Sequence, residues 1–395
     1  MSEITWRNAT LGEVADLCLG KMLDQNKNRG VPTPYLANVN VRWGEFILDD
    51  LRVMRFEEHE RDRYGLKYGD IVMCEGGEPG RCAIWKEQVP GMMIQKALHR
   101  IRPKAGLEHR FLYYSFRNIG LLRGFDQYFT GATIKHLPGE QLAKVEVHIP
   151  PLPLQRRIAG ILSAYDDLIE NSQRRIKILE EMARRLYREW FVHFRFPGHE
   201  SYRLVESSLG EIPEGWEVGR LDEVLVLQRG FDLPKSDRVD GSVPIYAATG
   251  VTGFHHTAKV RSPGVVTGRS GSIGEVLYVQ EDFWPLNTAL WVKDFPRSEP
   301  LYAYYLLSSL DLKQFNSGAA VPTLNRNDIH GIQVLIPSQD LQQHFQYVAG
   351  SLLSQVRAHS LQIINLHRAR DLLLPRLLSG QIDVDSLPQP VLSES

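Results

Sequence analysis

Two glycine-punctuated stretches carry the side chains best suited to meet a nucleic-acid base. In the first, Glu75 precedes Gly76-Gly77-Glu78-Pro79-Gly80; in the second, Arg269 precedes Ser270-Gly271-Ser272-Ile273-Gly274. With Gly77 and Gly80 set on Gly271 and Gly274, 194 residues later, Glu75 falls opposite Arg269 and Glu78 opposite Ser272. An arginine fork donates two hydrogen bonds to guanine, whereas a carboxylate accepts one from cytosine N4. Charge reversal inside a shared frame is what readers of two different sequences would need. A structural hairpin with a freely varying tip is the other reading of the same residues.

Further polar residues fall at related places. Gln95-Lys96 sets on Asn287-Thr288, just before a strand; Lys135-His136 and Asn325-Arg326 lie in loops that lead toward a helix. Lys21 and Arg229 flank Gly20 and Gly230, while Arg81, Arg123 and Lys259 add charge. Each alone reads equally as solvated surface. As a set they are candidate DNA contacts, most of them to phosphate. His255-His256 is a lone pair, facing solvent or DNA rather than a metal.

The signatures of an enzyme are missing. The sequence holds no GxxxxGK[ST] phosphate loop and no HExxH or paired Cys/His cluster. The Asn/Asp-Pro-Pro-Tyr/Phe pattern of adenine methyltransferases is absent, since Pro150-Pro151 lies between Ile149 and Leu152. Gly268–Gly274 lacks the closing glycine of a GxSxG elbow. No catalytic residue and no metal site are expected. The three cysteines, Cys18, Cys74 and Cys82, have no CxxC spacing and read as small buried hydrophobes. A net charge of -1 excludes a protein that coats nucleic acid by bulk attraction but not a sequence reader with local basic patches. With no export signal and no apolar run long enough for a membrane, the expectation is a cytoplasmic protein.

What positions these residues is a duplication. Gly131-Ala132-Thr133-Ile134-Lys135-His136-Leu137 matches Gly318-Ala319-Ala320-Val321-Pro322-Thr323-Leu324, and Leu154-Gln155 matches Leu341-Gln342, each 187 residues later. Upstream, Trp6 and Leu11-x-Glu13-Val14 match Trp216 and Leu221-x-Glu223-Val224 at 210 residues; Ala97-Leu98 sets on Ala289-Leu290 at 192 and Tyr113-Tyr114 on Tyr304-Tyr305 at 191. The one-directional drift fits two copies of one unit that differ by insertions near their starts. Short β-branched runs before glycine turns, with helical patterns near 110–121 and 299–313, make each globular part mixed α/β. A long helix follows each. From Leu154 to Trp190, and again from Leu341 to Leu377, apolar or small residues recur at steps of three and four, interrupted in the second by His359 and Arg370. About 40 residues at 1.5 Å each give a helix of roughly 60 Å.

Four stretches in order carry a family resemblance. These are Ile149-Pro150 through Leu162, Met182 through Phe194, Leu209-Gly210-Glu211-Ile212-Pro213-Glu214-Gly215-Trp216, and Leu373 through Gly380. They resemble the specificity subunits of type I restriction–modification enzymes over essentially the whole chain. The resemblance implies an α+β protein: two repeated mixed α/β target recognition domains separated by two long antiparallel coiled-coil helices. Its boundaries would be recognition domain 1 at 1–150, central helix 151–196, linker 197–214, recognition domain 2 at 215–336, C-terminal helix 337–380 and tail 381–395. It further implies that each domain reads one half of a split double-stranded DNA target, and that the helices dock two modification (adenine methyltransferase) subunits. Two restriction subunits would complete the assembly. S-adenosylmethionine, ATP and Mg would belong to those partners and no cofactor to this chain. Candidate partner contacts are Arg184, Arg188, Trp190, Phe191, Leu373 and Arg376. The alternatives are a self-sufficient DNA-modifying or cleaving enzyme with a divergent site, or a coiled-coil interaction scaffold.

Overall fold

The computed structural model describes residues 6–22, 24, 28–318 and 320–384. Ala319 of the repeated motif, and the tail from 385 onward, lie outside the described residues. Two units emerge, one built from residues up to Asn171 and from Gln362 onward, the other from Ser172–Leu361. Each contains a globular part and a portion of both long helices.

Among the described residues the first unit holds nine strands: β1 (Arg7–Thr10), β2 (Ala15–Leu19), β3 (Val31–Leu36), β4 (Arg52–Phe56), β5 (Ile71–Cys74), β6 (Cys82–Ile84), β7 (Met93–Ile94), β8 (Leu98–Pro103) and β9 (Glu146–Ile149). They form sheets of order β2-β8-β5-β6 and β4-β3-β7, and the ribbon β1-β9. All four residues of β5 are buried, which the period-two alternation of a strand explains. Ile71 and Met73 face one core with Phe111, Leu112 and Phe116 of the helix His109–Leu121. Val72 and Cys74 face a second core with Leu36, Trp85 and Ile94.

The second unit repeats this plan. Its strands are β10 (Leu204–Ser207), β11 (Gly210–Pro213), β12 (Glu217–Arg220), β13 (Val226–Arg229), β14 (Val243–Ala247), β15 (Gly250–His255), β16 (Gly264–Gly268), β17 (Val276–Val279), β18 (Trp284–Pro285), β19 (Ala289–Asp294) and β20 (Gln333–Ile336). The sheets β13-β19-β16-β17 and β15-β14-β18, and the ribbon β12-β20, reproduce the first unit strand for strand; the hairpin β10-β11 is additional. The expected short helix near 299–313 runs Pro300–Ser309 with a further turn at Leu312–Phe315.

The central helix runs Leu152–Tyr187 and continues as a π-helical turn, Arg188–Val192; the C-terminal helix runs Gln339–Leu378. A buried glutamine anchors the start of each. Gln155 donates through Nε2 to the carbonyls of Gly106 (3.0 Å) and Pro150 (2.8 Å) and accepts from the amide of Glu108 (2.9 Å). Gln342 repeats all three bonds with Arg297, Pro337 and Glu299 at 3.2, 3.0 and 3.0 Å. Ile158 and Leu162 of the central helix share the first unit's core with Leu374 and Leu377 of the C-terminal helix. In the second unit Tyr187, Trp190 and Phe191 pack on Phe345. Arg370 does not leave a gap in the stripe: it is buried and ion-paired with Asp166 and Asp371.

Candidate nucleic-acid interface

The turn between β5 and β6 and the turn between β16 and β17 are built by the same backbone bonds. The Glu75 amide donates to Ala97 O at 2.8 Å, and the Arg269 amide to Thr288 O at 2.9 Å. The Glu75 carbonyl accepts from Leu137 N at 2.8 Å; the Arg269 carbonyl accepts from Leu324 N at 2.8 Å. Gly77 and Gly80 lie at φ of 80° and 91°, Gly271 and Gly274 at 92° and 96°. This left-handed backbone favours glycine, so the four positions hold the two turns to one shape. A second hairpin closes against each turn, joined by isolated bridges between Gly76 and His136 and between Ser270 and Thr323. In each unit the turn, the entry to the long central strand and this second hairpin share one edge of the fold.

The ladders correct one alignment. Gly20 N bonds Leu98 O, and Gly230 N bonds Ala289 O. Lys21 bridges Gln95, and Phe231 bridges Leu286. Leu98 is thus the structural partner of Ala289, one residue away from the match of like dipeptides. Lys96 stands where Asn287 does, and Ala97 where Thr288 does; Gln95-Lys96 is not the counterpart of Asn287-Thr288. The frame also sets Arg81 on Glu275, so charge reverses at both ends of the turn.

Among the candidate contacts of the first unit, Glu75, Gln95 and Lys96 are half-buried on this edge, and Lys135 and His136 are exposed on the hairpin. Lys135 lies 3.9 Å from Asp126 and over the Phe129 ring. Arg123 is exposed with φ of 56°, closing the helix His109–Leu121 through a bond from its amide to Gly120 O. Lys21 is withdrawn from solvent: its Nζ pairs with Glu60 at 2.5 Å and donates to Arg55 O, so it stabilises the fold instead of facing phosphate. Arg81 is mostly internal too, pairing with Glu78 at 2.5 Å and donating to Asn38 O.

In the second unit, a chain of polar contacts links four residues, one of them through its main-chain carbonyl. Arg229 lies 3.5 Å from Asp232, the Asn287 carboxamide donates to Asp232, and the Arg269 guanidinium donates to Asn287 O at 3.2 Å. Asp232 carries little signal in the sequence beyond its place three residues after Arg229. Ser270 is half-buried beside this chain, and the buried Thr288 hydroxyl has no hydrogen-bond partner among the described residues. Asn325 caps the short helix Arg326–His330 by accepting from Asn327 N, and Arg326 donates to Leu227 O. Lys259 stacks over Trp284 and Phe231 at 5.1 and 5.9 Å. His255 is buried against Trp284 with its Nδ1 accepting from Val239 N, so it faces neither solvent nor DNA.

Two candidate partner contacts change role. Trp190 and Phe191 are buried in the second unit's core, and are not available to a docking subunit. Arg184, Arg188 and Arg376 are exposed and Leu373 is half-buried. Cys74 and Cys82 are buried; burial pushes both thiols up. Glu57, His59 and Glu60 have ligand atoms within 4.8 Å of one another, but Glu60 is committed to Lys21 and to the Glu57 amide. Among the described residues no helix is long and apolar enough to cross a membrane.

A family model described as the type I restriction modification DNA specificity domain matches residues 3–181 and 213–366. The chain belongs to this family. The specificity subunit of the type I restriction enzyme MjaIX of Methanocaldococcus jannaschii is 28% identical over 343 residues, 81% of this chain and 79% of that protein. The MjaVIII specificity subunit of the same organism is 33% identical over 174 residues, covering 44% of this chain and 39% of that one. Among solved structures, the S subunit of a type I restriction–modification system from M. genitalium covers 95% of this chain and 97% of its own, with a TM-score of 0.62 and 19% identity. Type I specificity subunits thus share this duplicated fold. The two matched segments correspond to the two copies of the repeat.

Proposed function

We propose that this specificity subunit selects DNA for a type I restriction–modification enzyme, each recognition domain reading one half of a bipartite target. The observation that carries this is the duplicated edge: one backbone frame, two different sets of side chains. A single chain built this way supplies an approximate twofold, as dimeric readers do, while letting the two halves of the site differ. The long helices would space the half-sites and dock two modification subunits, with Arg184, Arg188 and Arg376 among the exposed contacts. Two restriction subunits would complete an assembly working in the cytoplasm. Adenine methylation and ATP-dependent cleavage, with their S-adenosylmethionine, ATP and Mg, would reside in those partners. The family match leaves a self-sufficient enzyme and a plain scaffold without support.

The test is adenine-methylation mapping of DNA from cells expressing this chain with its modification subunit. A split motif that needs both proteins is expected, and replacing residues 1–150 with those of another specificity subunit should change one half alone. A motif that persists without this chain would overturn the reading.

A further inference from the structure

Resting on the reading just given, we infer that Glu75 and Arg269 are the corresponding specificity-determining residues of the two domains. Glu75 accepts a hydrogen bond from a cytosine amino group in one half-site, and Arg269 donates to guanine in the other.

The argument turns on equivalence. The two residues have the same amide donor bond, the same carbonyl acceptor bond and the same pair of left-handed glycines two and five residues on. Whatever part of DNA faces one position in the first half-site faces the other in the second. If that part were phosphate, Arg269 would be well placed, but Glu75 would set a carboxylate against an anion. The edge of a base pair can reward either polarity, because the major groove presents donors at some pairs and acceptors at others.

The surroundings agree. Glu75 is half-buried, and its carboxylate has no hydrogen bond or ion pair among the described residues. The buried ring of His99 is within electrostatic reach. Burial lowers its pKa, against the opposing effects of its bond to Leu137 O and of the Glu75 charge, so near neutral pH it does not offset the carboxylate. A half-buried acceptor without a donor is poised for one brought by a ligand. Arg269 is held differently. One guanidinium nitrogen is fixed on Asn287 O, whose own side chain is tied to Asp232, and no carboxylate pairs with Arg269 among the described residues. Its remaining donors keep the fork geometry that guanine O6 and N7 accept.

The experiment uses the assembled complex with its modification subunit in a host free of adenine methylation. Methylated motifs are compared for the wild type, Glu75→Ala and Arg269→Ala, with binding to single-base variants of the target measured in parallel. Each variant should relax one base position in one half by about tenfold to a hundredfold, and the two variants should affect different halves. Unchanged motifs, or a uniform loss of affinity across all sequences with a shallower salt dependence, would overturn the assignment; the second is the mark of a phosphate contact. Should either complex fail to assemble, Glu75→Met and Arg269→Met, which keep the bulk but not the polar groups, replace them. Arg269→Met has no donor to offer guanine, so an intact motif there equally refutes base reading. A wild type with no bipartite motif would instead sink the bipartite reading on which this one depends.

Discussion

The two units solve one packing problem with opposite chemistry. At equivalent places, 187 residues apart, the second unit has Ala183 and the first has Arg370, and both are buried. Around Ala183 the second unit is aromatic: Tyr187 stacks on Tyr305 at 5.5 Å, and Phe345 meets Trp190 and Phe191 at 5.9 and 5.1 Å. Around Arg370 the first unit is polar. The guanidinium meets Asp166 and Asp371 and donates to His367 Nδ1 at 2.9 Å, while the Tyr114 hydroxyl donates to Asp166 at 2.6 Å. Leu353 stands where the first unit has Asp166, and Leu374 where the second has Tyr187. One backbone slot therefore takes either a methyl group or a guanidinium, provided the neighbours change together. A guanidinium buried without its carboxylates would be prohibitive. The consequence is that each helix end fits its own unit and not the other.

Several substitutions would break or sharpen that contrast. The largest effect is expected at Phe345, fully buried among rings: Phe345→Ala should cost about 3–5 kcal/mol in denaturant unfolding. A loss below about 1 kcal/mol would mean the aromatic cluster is not what closes the second unit. Next comes Asp166→Ala, which leaves the buried Arg370 with Asp371 as its one carboxylate among the described residues, at a cost of about 1.5–3 kcal/mol. The double change Asp166→Leu with Arg370→Met should return stability to within about 1 kcal/mol of the parent. If the double variant is no better than the single one, the polar cluster is not a self-contained unit. Gln155→Ala and Gln342→Ala should each cost about 1–3 kcal/mol by leaving buried backbone groups unpaired. Here the two units should agree, and a large disagreement in melting temperature would show that the shared bonds are unequal in weight.

The smallest expected effect is one of pH. Burial, and then the charges of Arg370 and Arg117, hold the His367 pKa below its ordinary value of 6.5. A base whose folded pKa is depressed contributes stability that is present above the unfolded pKa and is lost as pH falls below it. Protonation would also remove the acceptor that His367 Nδ1 offers Arg370. Stability should decline as pH drops below about 6.5, and His367→Gln should flatten part of that decline in melts run at several pH values. An identical pH profile for variant and parent would assign the decline elsewhere.

Much of this was legible in the sequence because it repeats. The glycines of the two turns carry their own backbone requirement, so they placed Glu75 on Arg269 correctly. The helix stripes announced both long helices and nearly their ends. The failures have physical reasons too. The dipeptides Ala97-Leu98 and Ala289-Leu290 are identical, yet hydrogen-bond register, not identity, decides equivalence, and the ladder sets Leu98 on Ala289. Lys21 read as a surface cation because its partner Glu60 is 39 residues away, in a helix, Glu58–Tyr64, inserted in the first copy. Trp190 and Phe191 at a helix end look the same whether they await a partner or fill a core. Arg370 reads as a flaw in an apolar stripe because one of its two carboxylates, Asp166, comes from the other long helix.

The paired glutamines at the helix starts have a consequence for inheritance. Gln155 and Gln342 grip their globular parts through backbone carbonyls and an amide, never through a side chain. A joint that ignores side-chain identity places no demand on the sequence of what is joined. Gene fragments ending at the Ile-Pro before either helix would each arrive with their own three backbone groups for the waiting glutamine, leaving side-chain fit to the packed faces of the helices alone. Such a protein can acquire a new address for half of its target in one crossover, without a compensating mutation at the seam.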